Sequence, residues 1–180
     1  MYPGNQAAWQ PFAEVLAENG YRVLTFDFRG YGESEGERSP ETAPAEMRLA
    51  LDFLRENQAE QIVIIGAGMG GVATIKVAGQ EEGVIGIAIL SSPRYVENLL
   101  IIPNDLAVLN IPSLWIGTRT DINSEVESLY EEVSSEDKSI WIYEGSSLPG
   151  TFIFEGADGE DLERRLLEFV ARVMDGEDEE

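Results

Sequence analysis

Two residue types are absent from this chain of 180 residues, which contains no cysteine and no histidine. Without cysteine the protein has no disulfide, no thiolate nucleophile and no thiolate metal ligand. Without histidine it lacks the side chain that most often serves as a general base and as a metal ligand near neutral pH. We therefore predict neither a metal site nor a bound cofactor. The joint absence also suggests an edited or designed sequence, with natural loss as the alternative.

Basic residues and long apolar runs are also scarce. The chain has 12 Lys and Arg against 34 Asp and Glu, so its formal net charge is -22. Such a surface repels nucleic-acid phosphates and anionic membranes, and we predict neither as a partner. No window approaches the ~18 consecutive apolar residues of a membrane span. The N-terminus lacks a basic start followed by an apolar run. These features favour a soluble protein, cytoplasmic or of recombinant origin.

What is present is a regular alternation of helical and strand patterns. Apolar residues at helical spacing alternate with short apolar runs, which are typical of strands buried on both faces. The pattern predicts a mostly parallel sheet with helices on both faces, in one domain over residues 1–174 followed by an acidic tail at 175–180. The predicted helices are 6–19, 44–57, 69–80, a short one at 95–100, 124–134 and 160–174. The predicted strands are 21–28, 62–65, 84–90, 113–117 and 139–143, with a long loop at 145–159.

The most informative motif is IVIIGAGMGGVATIKVAG, over residues 62–79, where a strand passes through a glycine turn directly into a helix. One interpretation is a dinucleotide-binding turn, since Gly66, Gly68 and Gly71 match G-x-G-x-x-G. That fingerprint also requires an acidic residue at the end of the next strand, to hold the ribose. Here the next strand ends in Ile-Leu-Ser-Ser, at residues 89–92. The dinucleotide interpretation is kept as the alternative.

The second interpretation is a nucleophile elbow, G-x-S-x-G, in which Gly68 stands where the serine would be. Four further segments then fall in order along the chain: YPGN at 2–5, FDFRGYGES at 26–34, IPSLWIGTRTD at 111–121 and GSSLPGTFIF at 145–154. They resemble, respectively, the oxyanion loop, the D-x-R-G-x-G-x-S segment, the acid-bearing loop and the histidine loop of small esterases and dienelactone-hydrolase-like proteins. On these motifs the chain is identified as a member of the α/β-hydrolase superfamily, with a three-layer sandwich fold.

The resemblance implies a triad that is no longer intact. Its nucleophile, acid and histidine positions correspond to Gly68, Asp121 and Pro149, so only the acid is kept. Acyl transfer needs a hydroxyl and a base to take its proton, and we therefore expect the fold without ordinary serine-hydrolase activity. By the same resemblance, the backbone N–H groups of Met69 and Tyr2 would form an oxyanion hole. Alternatively, Asp121 is simply a turn residue at the end of a strand.

Other polar residues near the predicted strand ends have structural interpretations. We expect the serines there to form turns or caps, because the chain offers no histidine to activate a hydroxyl; they are Ser34, Ser91, Ser92, Ser146 and Ser147. Asp27 and Arg29 are expected to hold the loop after their strand through hydrogen bonds and a salt bridge.

The resemblance also implies N-terminal strands that precede the first residue of this chain. The third of them would lie between the strands predicted at 22–28 and 62–65. Three arrangements follow: the flanking strands pair directly, a second copy pairs at the exposed edge, or a separate N-terminal segment completes the sheet. Three functions remain open, namely an inactive hydrolase relative that binds a small acyl compound, a nucleotide-binding module and an oligomerising scaffold.

Overall fold

A computed structural model of the chain describes residues 5–145 and 148–176. The six α-helices described there are α1 (Gln10–Glu18), α2 (Ala43–Glu56), α3 (Met69–Ala78), α4 (Pro103–Ala107), α5 (Val126–Glu132) and α6 (Gly159–Asp175). The strands are β1 (Ile62–Ala67), β2 (Val84–Leu90), β3 (Tyr95–Val96), β4 (Leu99–Leu100), β5 (Ser113–Thr118) and β6 (Lys138–Tyr143). Three 3₁₀ helices cover Gln6–Trp9, Pro40–Thr42 and Gly150–Glu155.

Four of the strands form one parallel sheet in the order β1-β2-β5-β6. Each connection between consecutive strands of this sheet contains a helix: α3 follows β1, α4 lies between β2 and β5, and α5 follows β5. Parallel strands need such crossover connections. β3 and β4 form a separate antiparallel hairpin. The predicted fold class, a mostly parallel sheet wrapped by helices, is confirmed.

Alternate residues of the central strands point into two separate cores. Ile87 and Ile89 of β2 pack with the buried faces of α2, α3 and α5. Ala88 and Leu90, one residue out of phase, pack with α1 and α6 on the other side of the sheet. Both faces of β2 are therefore covered, which explains why its sequence is apolar throughout. The result is the predicted three-layer sandwich.

The segment 95–100, predicted as a short helix, is instead the β3–β4 hairpin. Glu97 lies at its turn with φ +52°, in the left-handed region that a right-handed helix cannot include. Three helical elements were not predicted: α4, the 3₁₀ helix Pro40–Thr42, and the 3₁₀ helix within the loop at 145–159. Asp175, assigned to the acidic tail, is the last residue of α6. Residues 177–180 of that tail lie outside the described residues.

Residues 21–28 were predicted to be a strand, but the structure does not pair them with any neighbouring strand. The segment belongs to no strand or ladder. Within the described part of the chain, no backbone–backbone hydrogen bond involves residues 22–27. Direct pairing of this segment with β1, one of the three arrangements considered for the sheet, is therefore not found. Strand propensity is local, whereas a ladder needs a neighbour at the right distance.

No helix in the described ranges is both long enough and apolar enough to cross a membrane. The same ranges hold no cluster of three or more acidic side chains placed to bind a metal ion.

A polar network fastens α6 to the edge strand β6. The hydroxyl of Tyr143 donates to Asp161 Oδ2 at 2.9 Å, and Arg165 Nε donates to the same oxygen at 2.6 Å. The Arg165 guanidinium also stacks 3.3 Å from the centre of the Trp141 ring. Burial disfavours the charged form of Asp161, but hydrogen bonds from Arg165, Arg164 and Tyr143 outweigh it and lower the pKa of Asp161 to about 2.

We predict that Asp161→Asn destabilises the protein by about 1 kcal/mol at pH 7, because two arginines lose their ionised partner. The figure is smaller than the pKa change alone would give, since the Asp161 side chain is 35% exposed. Because the folded pKa is lowered, the stabilisation is complete above the unfolded value of about 4 and disappears as the pH falls towards 2. Thermal melts from pH 7 to pH 2 check this.

The matched control is Glu160→Gln, which removes the same charge from the same first turn of α6. Glu160 is exposed and has no ion pair among the described residues. Equal losses in the two variants would show that helix-dipole effects, and not the Asp161 network, account for the change.

Candidate functional site

The candidate site lies at the carboxyl edge of the parallel sheet, where ligand sites of open α/β sheets are usually found. Each of the four parallel strands ends there in a loop that carries one of the predicted positions or its support. A cavity of about 1350 Å³ opens at this edge and extends along β1. Gly68, Asp121 and Pro149 all line it, so the fold brings the three predicted triad positions to one cavity.

Gly68 forms the turn between β1 and α3, with φ +53° and ψ -116°. Its N–H donates to the carbonyl of Leu90 at 3.0 Å, and its carbonyl accepts from Val72 at 3.1 Å. The turn is thus held from the neighbouring strand and from the helix that follows. A Cβ atom on Gly68 would have no heavy atom within 4 Å. The turn therefore has the sharp geometry of a nucleophile elbow and space for a side chain, but Gly68 supplies no hydroxyl.

The glycines on either side of Gly68 are needed for close packing. A Cβ on Gly66 would lie 2.6 Å from the Gly70 carbonyl oxygen and 2.6 Å from Thr74 Oγ1. A Cβ on Gly71 would lie 2.9 Å from the side chain of Ser92. Of the two outer glycines in the elbow pattern G-x-S-x-G, Gly66 is required by this packing, whereas a Cβ on Gly70 would meet only the Phe28 ring, at 3.9 Å. The dinucleotide interpretation assigns the same glycines to a pyrophosphate and stays a prediction.

Asp121 follows β5 and is half-buried in a turn. Its N–H donates to the Thr118 carbonyl at 3.1 Å, and its Oδ1 accepts from the Asn123 N–H at 3.1 Å. This second bond is an Asx turn, as expected of a turn residue. The carboxylate nevertheless belongs to the same cavity as Gly68. Both interpretations of Asp121 are therefore compatible with its position.

Pro149 precedes a 3₁₀ helix in the loop after β6. The loop is fastened by Ser91, whose Oγ accepts from the Gly150 N–H at 2.8 Å. Ser91 is buried and has φ +46°. Residues other than glycine rarely adopt a positive φ, so the packing around Ser91 must stabilise this conformation. Its role could not be found from sequence, because nothing near residue 91 indicates a partner 59 positions away. Residues 146 and 147, where two of the predicted turn serines lie, are outside the described residues.

Ser92 stabilises the turn at Gly68 from the neighbouring loop after β2. Its side chain is fully buried, and its Oγ donates to the carbonyl of Gly68 at 3.2 Å and lies 3.3 Å from that of Pro93. Together with the close contact to Gly71, this fixes the loop after β2 against the turn after β1. The hydroxyls of Ser91 and Ser92 thus serve the two loops that carry Pro149 and Gly68.

The predicted oxyanion donors are only partly described. Met69 is the first residue of α3, so its N–H has no acceptor within the helix and lies at the positive end of the helix dipole. Met69 also lines the cavity. The other predicted donor, Tyr2, lies outside the described residues. The Met69 N–H is therefore a free helix-end donor beside the cavity, and its role in an oxyanion hole stays a prediction.

Asp27 and Arg29 hold the loop at 26–34, although not through each other. The Asp27 carboxylate accepts from Gln6 N at 2.7 Å and from Glu33 N at 3.0 Å. A Cβ on Gly32 would clash with that carboxylate, and the φ of Gly32, +51°, also favours glycine. Arg29 pairs with Glu46 of α2 at 4.0 Å. Asp27 thus ties the described N-terminal end of the chain to the rim of the cavity.

Comparison with known sequences gives a family and several relatives. Residues 6–115 match the model of the family described as serine aminopeptidase, S33. The protein YfhR of Salmonella typhi is 33% identical over 83 residues, which are 44% of this chain and 28% of that protein. The bifunctional epoxide hydrolase 2 of Sus scrofa is 30% identical over 112 residues, which are 61% of this chain and 20% of that protein. The chain spans less than a third of the length of these relatives.

Solved structures resemble the fold over almost the whole chain. The esterase Pf2001 of Pyrococcus furiosus has a TM-score of 0.82 at 21% identity, covering 96% of this chain and 80% of that one. The monoacylglycerol lipase of Paleococcus ferrophilus has a TM-score of 0.76 at 19% identity, covering 93% and 90%. At these identities the likeness establishes the fold alone. Because the family model covers more than half of its residues, this chain belongs to the serine aminopeptidase S33 family, within the α/β-hydrolase superfamily.

Proposed function

We propose that this chain is a non-catalytic α/β-hydrolase relative that binds a small acyl compound at the carboxyl edge of its sheet. The observation that carries the proposal is Gly68: the elbow keeps its turn and open space, without a hydroxyl. The sequence contains no histidine, so no imidazole base is available at any position.

The chemistry follows from what remains around Gly68. Asp121 can orient a base, but Pro149 carries neither a proton nor a lone pair to be oriented. No covalent acyl intermediate can form on Gly68, and we assign no step to it. The Met69 N–H can still donate a hydrogen bond to a carbonyl oxygen of a bound acyl group. Binding and polarisation are therefore kept, whereas proton transfer is lost.

The shape of the cavity favours an acyl compound as the ligand. Its outer end is lined by apolar side chains from the loops after β2, β5 and β6, including Pro93, Val96 and Phe152. These apolar side chains beside the Met69 N–H suit a carbonyl group attached to a short hydrocarbon chain, although polar residues such as Arg38 and Asn123 also line the cavity.

We predict that Gly68→Ser combined with Pro149→His hydrolyses p-nitrophenyl acetate, whereas the unmodified chain and each single variant do not do so at enzyme-like rates. A Cβ at position 68 meets no neighbour, so the serine has room, and it must adopt φ +53°, the strained conformation that the serine of a nucleophile elbow takes. The histidine would lie on the same cavity as Asp121, which can then orient it. Steady-state release of p-nitrophenol measures the four proteins side by side.

The control within this series is Asp121→Asn added to the double variant. If Asp121 orients the new histidine, this change should lower kcat by up to about 10⁴-fold, as removal of a triad carboxylate does elsewhere. Enzyme-like turnover by the unmodified chain would show that the nucleophile lies elsewhere and would refute the proposal. With an intact oxyanion hole but no triad, the unmodified chain is expected to hydrolyse the ester at most on the order of 10³–10⁴-fold faster than the uncatalysed reaction in water.

We also predict that p-nitrophenyl butyrate, which the unmodified chain should bind without cleaving, raises its Tm, and that NAD does not. A ligand at 100 times its Kd adds about 2.7 kcal/mol to the stability of the folded state, or roughly 5–10 °C in Tm for a domain of this size. Melting curves at rising concentrations of each compound distinguish the two. A shift with NAD alone would favour the dinucleotide interpretation of Gly66, Gly68 and Gly71.

A further inference from the structure

One cationic side chain at the cavity has no anionic partner among the described residues. Arg38, in the loop that leads to α2, lines the cavity. Its Nε donates to the carbonyl of Gly30 at 3.1 Å, and within residues 5–145 and 148–176 its two terminal amino groups have no acceptor. The outer end of the guanidinium, which carries four N–H donors, is therefore available to a ligand.

This arrangement sets Arg38 apart from the other basic residues, in a chain that has 34 Asp and Glu. Arg22 and Lys138 each donate to two backbone carbonyls. Every remaining Lys and Arg side chain lies within 4.0 Å of a carboxylate oxygen. With acidic residues so abundant, a cation that bonds to one carbonyl alone is an exception, and this exception lines the cavity.

The loop around Arg38 restricts the position of its guanidinium. The group lies over the ring of Tyr31, 4.8 Å from the ring centre. Gly30, with φ +73°, allows a close approach of the two backbone segments: a Cβ there would lie 2.7 Å from Arg38 N and 3.0 Å from its Cγ. An arginine loses side-chain entropy when it binds a ligand. Since the Gly30 carbonyl and the Tyr31 ring already restrict Arg38, less entropy is lost on binding.

Arg38 lies at the same end of the cavity as the start of α3. The Tyr31 N–H donates to the carbonyl of Phe28 at 2.9 Å. The ring of Phe28 in turn lies 3.9 Å from the place that a Cβ on Gly70 would occupy, in the first turn of α3. The aromatic residues Phe28 and Tyr31 thus form a wall between the Met69 N–H and the Arg38 guanidinium, and all four residues line the cavity.

Acidic residues on the loops at the carboxyl edge limit the charge that a ligand can carry. Asp27, Asp121 and Glu125 line the cavity, and each already accepts a hydrogen bond from a backbone N–H group. Glu97, which also lines it, is on the β3–β4 hairpin and not on the loop of Arg38. These carboxylates disfavour a phosphate monoester, which carries about 1.5–2 negative charges at pH 7. A group with a single negative charge is repelled less.

We propose that Arg38 binds a carboxylate at the far end of the acyl compound, so that the ligand is a half-ester of a dicarboxylic acid. The planar guanidinium matches the two oxygens of a carboxylate, and the hydrogen bonds between them are charge-assisted. The ester carbonyl of the same ligand accepts from the Met69 N–H, and its hydrocarbon chain lies along Phe28 and Tyr31. This inference rests on the proposed acyl site and adds the class of ligand to it.

The experiment compares monoethyl glutarate with its terminal amide, a compound of the same size without the charge, by titration calorimetry on the full chain. We expect the half-ester to bind about tenfold more tightly, as a charge-assisted contact to one arginine provides. Its affinity should fall as the salt concentration rises, whereas the affinity of the amide should not. The same pairs made from succinic and adipic acid test a shorter and a longer spacing between ester and carboxylate.

Two variants of the same loop show whether Arg38 is responsible. Arg38→Gln removes the charge and should abolish the preference for the carboxylate while leaving the affinity for the amide unchanged. Arg29→Gln is the matched control, because it removes the same charge from the same loop. Arg29 pairs with Glu46 and is not among the described residues that line this cavity. The Arg29 variant should therefore keep the preference.

The outcomes separate this inference from the acyl site on which it rests. If the amides bind but no half-ester binds more tightly at any of the three lengths, Arg38 has no such role and the acyl site stands. The same conclusion follows if the preference survives Arg38→Gln, or if both arginine variants lose it equally, since the cause would then be net charge. If neither the half-esters nor the amides bind, the acyl site and this inference are both refuted.

Discussion

The site depends on the backbone turn at Gly68. Its left-handed conformation reverses the chain from β1 into α3 within one residue, and hydrogen bonds from Gly68 to Leu90 and from Val72 to Gly68 hold it on both sides. The turn closes only because Gly66 lets the first turn of α3 approach the strand to within contact of Gly70. A side chain at position 66 would push α3 away from the sheet, and with it the Met69 N–H and one side of the cavity.

The scaffold and the chemistry of this site are separable, because they reside in different atoms. The elbow, the donor at Met69 and the anchoring of the 149–150 loop by Ser91 rest on backbone groups and on hydroxyls away from the reacting position. The nucleophile and base are side chains, and Gly68 and Pro149 carry neither. On the proposed function, a change of these two side chains alone would remove proton transfer and leave the backbone contacts of the turn and the loop in place.

The sequence predicted those parts of the fold that are set by local pattern. The apolar run of β2 and the glycine turn after β1 gave a parallel sheet and an elbow, since burial on both faces and a positive φ leave clear traces in residue type. Residues 21–28 have the same local pattern but no ladder, because pairing depends on what lies beside the segment. The hairpin at 95–100 was missed because Glu97 takes a left-handed conformation that its residue type does not suggest. The hydroxyl of Ser91 was undervalued for a related reason, since its partner lies 59 residues away.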